Sequence, residues 1–179
     1  ELVNQLALHK YFSKYDLKSA YHQIPIQKQD MKFTAFEANG ELYQFRRIPF
    51  GLKNAVSAFQ RAMTERIEKE GLKKVFPYLD DVTVAGDTIE ELEENSKKFE
   101  RACQVSGITL NESKTVRKVK DLKVLGYHIK DHMIGPDRSR LQPLLEMPNP
   151  LNLKDLKRMR PEVDKMISFP RTSKFVSVK

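Results

Sequence analysis

Three carboxylates in this chain have the types and placement for chemistry. Asp80 and Asp81 adjoin in Tyr78-Leu79-Asp80-Asp81, and Asp16 stands far upstream in Tyr11-Phe12-Ser13-Lys14-Tyr15-Asp16-Leu17. Adjacent carboxylates repel, and they stay ionised together only where a cation or strong hydrogen bonds hold them. Hard oxygens of this kind suit Mg²⁺, which usually takes one or two carboxylates plus substrate phosphates. Taken alone, an Asp-Asp pair is more simply a solvated turn, and Asp16 alone is a strand-ending residue that caps the next turn. Tyr21 comes five residues after Asp16, so it is either a core aromatic or a neighbour of the same chemistry. His22 has no second histidine at ligand spacing.

The elements that must position these residues can be read from pattern. Lys73-Lys74-Val75-Phe76 and Val82-Thr83-Val84-Ala85 flank the Asp-Asp pair and read as two short strands of a hairpin. Tyr11 to Leu17 reads as a strand with Asp16 near its end, where a rigid sheet can aim it. Phe33-Thr34-Ala35-Phe36 and Leu42-Tyr43-Gln44-Phe45 flank Asn39-Gly40, a type I′ pair, and predict a β-hairpin. Gly51, in Pro49-Phe50-Gly51-Leu52, either lets backbone approach a ligand or serves an ordinary turn. Asn54 is placed to cap a helix to about Glu70, with Ala55, Phe59, Ala62, Met63 and Ile67 on its buried face. Thr88 and Glu91 form a capping box for a helix to about Ser106, and Gly107 is its stop. Leu110 to Lys114 reads as a loop. The run from Leu122 to Ile129 reads as one strand paired with Met133-Ile134. A short helix is predicted from Asp137 or Arg138 to Pro148, and a last one from Leu153 to near Pro161.

Composition narrows the partner. The 179 residues carry a net charge of +8 and 40% apolar side chains, enough for one domain with a real core. The basic balance favours a polyanion. Residues 151–179 hold eight Lys/Arg against three Asp/Glu, so this tail is strongly basic. The single cysteine, Cys103, excludes an internal disulfide and a cysteine-based zinc site, and it falls on an apolar helix face. There is no signal peptide and no run of 18 apolar residues, which predicts an intracellular protein away from membranes. The chain opens without Met on helix-like residues, as a piece of a longer protein would.

In this order the blocks resemble the reverse transcriptases of gypsy-type long-terminal-repeat retrotransposons and their retroviral relatives. Tyr11 to Ile24 is similar to the first catalytic block. Pro49-Phe50-Gly51-Leu52-Lys53-Asn54-Ala55 through Phe59-Gln60 is similar to the second, and Tyr78-Leu79-Asp80-Asp81 to the third. Leu110-Asn111-Glu112-Ser113-Lys114 and Leu125-Gly126-Tyr127-His128-Ile129 resemble the fourth and fifth.

The resemblance implies an α+β fold: a palm with partial fingers, its antiparallel sheet carrying helices on one face. It implies that Asp16, Asp80 and Asp81 form the catalytic, metal-binding triad, holding two Mg²⁺ with Mn²⁺ as a possible substitute. It places Tyr21 under the incoming sugar, Phe50 and Gly51 at its base and sugar, and Lys114 near the triphosphate. Gly126 and Tyr127 fall in the hairpin that grips the primer. The implied partners are an RNA or DNA template with a DNA primer, deoxynucleoside triphosphates, and other Pol domains of a longer polyprotein. The expected division is a palm with partial fingers over 1–147 and a divergent basic segment over 148–179. Val56 stands where the family usually has proline, and Tyr15 where it has an aliphatic residue. Met159-Arg160-Pro161 breaks the family pattern, and no protease, ribonuclease H or integrase block is recognisable. Beside the polymerase stand two other readings. One is a retroelement remnant that only binds nucleic acid. The other is an unrelated ferredoxin-like α+β protein with an incidental Asp-Asp turn.

Overall fold

In the computed structural model, residues 1–137 are described, with 139, 142, 146, 150–157, 160 and 176–177 beyond them. The chain forms two compact units, one of Tyr11–Val119 and one of Glu1–Lys10 with Lys120–Lys179. The expected boundary at 147/148 falls outside the described residues, as does most of the helix expected before Pro148. Residues 153–157 are helical, and the expected end of that helix near Pro161 is again outside them. Among the described residues, no helix is long and apolar enough to cross a membrane.

The Tyr11–Val119 unit is built on a four-stranded antiparallel sheet. Its strands are β1 (Tyr11–Asp16), β4 (Val75–Tyr78), β5 (Asp81–Gly86) and β6 (Val116–Val119), in the order β4-β5-β1-β6. Tyr15 pairs with Val82 and Ser13 with Val84. Because side chains alternate across a strand, Tyr15, Val82 and Val84 share one face. There they join a buried cluster with Phe59, Met63 and Ile67 of α2 (Ala55–Lys69) and Leu92, Phe99 and Cys103 of α3 (Ile89–Val105). The other face carries Lys14, Asp16, Asp81 and Thr83. The sheet thus takes its helices on one face, as expected, and turns its carboxylates to the other.

Tyr15 shows how the chain accommodates an unexpected residue. Its ring tilts against Phe99 at 5.1 Å between centroids, and its hydroxyl donates to Glu100 at 2.9 Å. Burial, with the Glu100 carboxylate beside it, pushes the phenol up to about 12. Cys103 is buried in the core, where desolvation raises its thiol to about 12.

The helix ends obey their residues. Thr88 accepts the Glu91 N–H at 3.2 Å, while the Glu91 carboxylate reaches the Asp87 N–H at 2.8 Å rather than that of Thr88. At the other end Gly107, at φ +66, completes a double closure, with Ile108 N–H on Cys103 C=O and Gly107 N–H on Gln104 C=O. Asn54 precedes α2, but its side chain makes no cap bond.

Three expectations need correction. β6 has no counterpart among the expected strands, because Val-Arg-Lys-Val is a charged, largely exposed edge strand; such charge suits an edge that must not pair further. In the hairpin β2 (Phe36–Ala38) and β3 (Glu41–Tyr43), Asn39 and Gly40 take the turn as expected, at φ 54 and 77. Residues Met31–Thr34, however, form a 3₁₀ turn, in which Thr34 donates to Met31 C=O and accepts the Phe45 N–H. Finally, the single strand expected over 122–129 is two. β7 (Asp121–Val124) and β8 (Tyr127–Lys130) are joined by Leu125 and Gly126 at φ 54 and 82, and leucine is not a residue that announces such a turn. β8 pairs with β9 (Met133–Pro136), with Ile129 opposite Ile134, and β10 (Val176–Ser177) pairs with β9 in turn. That sheet and α1 (Leu2–Leu6) belong to the other unit.

Candidate active site

Asp16 ends β1, Asp81 begins β5, and the two are directly paired across the ladder. Leu79 and Asp80 form the two-residue turn between β4 and β5, with Tyr78 opposite Asp81. Leu79 takes the left-handed conformation at φ 52 that this tight turn requires. The Asp80 carbonyl accepts the Leu17 N–H at 2.8 Å, so pairing continues one step past the strand end and fixes the Asp80 backbone beside Asp16.

A second segment closes on the same end of β1. Leu17 bridges Leu110, and Asp16 C=O accepts the Asn111 N–H at 2.8 Å. The 3₁₀ turn Glu112–Lys114 comes next, and brings the Lys114 ammonium to 3.6 Å from the Asp16 carboxylate. On the other side Ser19, at φ 51, opens a 3₁₀ turn over Ala20–Gln23 that presents Tyr21. The Tyr21 ring meets Phe59 edge-on at 5.5 Å and Phe50 at 5.6 Å. Phe50 also meets His22 at 4.9 Å and is largely exposed.

These side chains enclose an open cleft of about 280 Å³, lined among others by Asp16, Tyr21, Phe50, Asp80, Asn111 and Lys114. Burial, then the neighbouring Asp16 and Asp81 charges, raise Asp80 above the usual carboxylate range, while Lys114 pulls it back. Asp81 is held differently: its carboxylate pairs with Lys14 at 2.7 Å. Among the described residues, no three His, Cys, Asp or Glu side chains converge as a ready metal cage. The donor set still fits a hard cation. Burial and the neighbouring carboxylates disfavour the Asp80 anion at an open, polar cleft, where a cation would offset that charge, and Mg²⁺ needs only one or two carboxylates beside phosphate and water.

The structure therefore brings together Asp16, Asp80, Tyr21, Phe50 and Lys114, with Asp81 one residue away in its ion pair. Gly51 lies next to Phe50 at φ 89, in the conformation that favours glycine, and a side chain there would meet nothing within 4 Å. Gly126 and Tyr127 are in the other unit, at the β7–β8 turn, where Gly126 C=O accepts the Asp137 N–H at 3.0 Å. Sequence reasoning missed Lys14 and Asn111. Lys14 was findable, because it stands two residues before Asp16 on a strand and so shares its face.

The chain matches the reverse transcriptase (RNA-dependent DNA polymerase) family over residues 1–129. It is 34% identical over 150 residues to a retrovirus-related Pol polyprotein from transposon opus of Drosophila melanogaster, covering 83% of this chain and 15% of that polyprotein. It is 29% identical to the corresponding polyprotein from transposon gypsy of the same organism, covering 83% of this chain and 14% of the relative. Among solved structures, a foamy viral protease-reverse transcriptase in complex with RNA/DNA hybrid superposes with a TM-score of 0.73 at 21% identity, over 87% of this chain and 21% of that one. The same fold is seen in that protein's complex with double-stranded DNA, at a TM-score of 0.73. The chain belongs to the reverse transcriptase (RNA-dependent DNA polymerase) family, as a domain of the kind carried by retroelement Pol polyproteins.

Proposed function

We propose that this chain carries the nucleotidyl-transfer centre of an RNA-directed DNA polymerase, extending a DNA primer on an RNA or DNA template with deoxynucleoside triphosphates. The observation that carries the reading is the shared cleft of Asp16 and Asp80, with Lys114 on one side and the Tyr21–Phe50 pair on the other. Asp16, Asp80 and Asp81 would hold divalent cations, Mg²⁺ or in its place Mn²⁺. When bound, a pair of such ions supplies charge stabilisation to the attacking and leaving oxygens of an in-line displacement. Phosphoryl transfer otherwise asks the protein mainly for positioning. Lys114 offers a cation to the triphosphate, Tyr21 and Phe50 an apolar wall to sugar and base, and Gly51 a backbone free of side chain beside them. Gly126 and Tyr127 are assigned to the primer end, and other Pol domains are the expected neighbours in a longer polyprotein.

A primer-extension assay tests this: a labelled DNA primer on an RNA template, four deoxynucleoside triphosphates and Mg²⁺, beside Asp80→Asn. Extension by the parent and none by the variant is expected. A second reading has its own observation. The Lys14–Asp81 pair at 2.7 Å occupies one of the three carboxylates, as a remnant that only binds nucleic acid could tolerate. Salt-sensitive binding of template–primer with no extension would favour that reading.

A further inference from the structure

Gln60 makes two hydrogen bonds that serve none of the roles of the cleft residues. From the second turn of α2, its amide N–H donates to Pro77 C=O at 2.9 Å, and its amide oxygen accepts the Leu79 N–H at 3.1 Å. Those two backbone groups flank Tyr78 and lead directly into Asp80. Pro77 is on β4, the edge strand of its sheet, and Leu79 follows in the turn, so α2 approaches a strand that has a neighbour in that sheet on one side only. The Gln60 carboxamide therefore acts as a one-residue strand partner, giving and taking one bond as a neighbouring strand would.

The side-chain type matters. Only a carboxamide offers a donor and an acceptor side by side. Asparagine has the same group on a stem one carbon shorter, glutamate has no donor, and lysine or arginine has no acceptor. The partners also fix the amide's orientation, since one is a carbonyl and the other an N–H. The strand it grips needs such help. Leu79 is held left-handed at φ 52, a conformation that costs a non-glycine residue free energy unless its surroundings impose it. Gln60 comes directly after Phe59, which is buried at 1% exposure in the core, so the clamp is anchored to the rigid part of the unit.

We propose that Gln60 is a positioning residue, which holds the Leu79–Asp80 turn so that the Asp80 carboxylate stays in register with Asp16. The proposal deepens the polymerase reading and rests on it for its effect on rate. Its effect on turn geometry and cation binding does not need that reading. The step it assists is limited by placement, and an error on the order of 1 Å at such a centre costs roughly a hundredfold.

The test compares the full chain with Gln60→Met, close in length but without the amide, and Gln60→Glu, which keeps the acceptor alone. Three quantities are read: hydrogen exchange at the Leu79 amide, Mn²⁺ affinity by electron paramagnetic resonance, and single-nucleotide addition to a DNA primer. In Gln60→Met, Leu79 exchange is expected to speed at least tenfold. Mn²⁺ binding should weaken, and kcat should fall roughly ten- to a hundredfold at unchanged primer KM. Gln60→Glu should keep the Leu79 protection in part, and remains the comparison if Gln60→Met does not fold. Unchanged Leu79 exchange, or faster exchange with Mn²⁺ affinity equal to the parent's, would overturn the proposal. A parent that adds no nucleotide but binds Mn²⁺ more tightly than the variants would sink the polymerase reading and leave the role of Gln60 standing.

Discussion

Asp16 lies directly opposite Asp81 across the β1–β5 ladder, on the sheet face turned away from the helices. Two carboxylates on adjacent strands, with Asp80 in the turn beside them, crowd negative charge at one strand end. The fold tolerates this by lending cations: Lys14 to Asp81 at 2.7 Å and Lys114 to Asp16 at 3.6 Å. Neither lysine pairs with Asp80, which keeps a raised ionisation point. That imbalance sets the first expectation.

Asp80 should make stability depend on pH. Its folded ionisation point lies above the ordinary value of 3.8 because burial, Asp16 and Asp81 disfavour the anion. Between the unfolded and folded values the folded state binds more protons, so stability falls as pH rises through that window. Asp80→Asn removes the effect. The variant should melt higher than the parent at neutral pH without metal, and the gap should close below about pH 3.8. Mg²⁺ should raise the parent's melting temperature more than the variant's. Thermal melts from pH 3 to pH 8, with and without Mg²⁺, check it, and a gap that widens on acidification would reverse the assignment.

Lys14 should act as a brake on Asp81. The pair is partly exposed, at 30% and 37%, and such pairs contribute about 1 kcal/mol or less. Lys14→Met should therefore leave stability nearly unchanged while freeing the Asp81 carboxylate. Mn²⁺ affinity is expected to rise, and titration followed by electron paramagnetic resonance measures it. Weaker binding would mean that Lys14 orients Asp81 toward the cation rather than holding it away.

Gly86 closes the same sheet against α3. A Cβ placed there would lie 2.6 Å from the Leu92 nitrogen and 2.9 Å from its Cα. Those are backbone atoms in the first turns of a helix, and they cannot swing aside as a side-chain tip would. Overpacking of this kind typically costs about 1–3 kcal/mol. Gly86→Ala should lower the denaturant midpoint accordingly, and an unchanged midpoint would show that α3 can shift on the sheet.

Much of this architecture is legible in the sequence, for physical reasons. Asn39-Gly40 and Gly107 announce a positive-φ backbone that few residues adopt, and Thr88 announces a helix start through its side-chain cap on the Glu91 N–H; each appears where its chemistry implies. Asp16 and Asp81 are legible as strand-end residues because β-branched and aromatic neighbours mark the strands. The elements that escape lack a local signal. Leu79 and Leu125 adopt left-handed turns at φ 52 and 54, where leucine gives no hint and tertiary pairing overrides preference. β6 hides because its charges suit an edge. The clamp of Gln60 on Pro77 and Leu79 joins residues 17 and 19 positions apart, and no short-range pattern reports such a bond.

Tyr21 is expected to select deoxyribonucleotides, and the structure sharpens how to separate that role from packing. Its ring packs against Phe59 in the core and also against Phe50 at the cleft. Tyr21→Ala should thus lose both a core contact and the wall. Its cost in stability should fall below the roughly 3–5 kcal/mol of a fully buried large aromatic, because Tyr21 is only half-buried. Phe50 provides the comparison: it is 68% exposed, so Phe50→Ala should barely move the melting temperature while opening the same wall from the other side. A ring beneath the sugar excludes a 2′-hydroxyl by occupying its space. Tyr21→Ala should therefore raise ribonucleotide incorporation relative to deoxyribonucleotide, and Phe50→Ala should slow both alike. The ratio of the two incorporation rates, measured on one primer beside thermal melts, decides it. An unchanged ratio in Tyr21→Ala with a large loss of stability would leave Tyr21 as a core residue that happens to border the cleft.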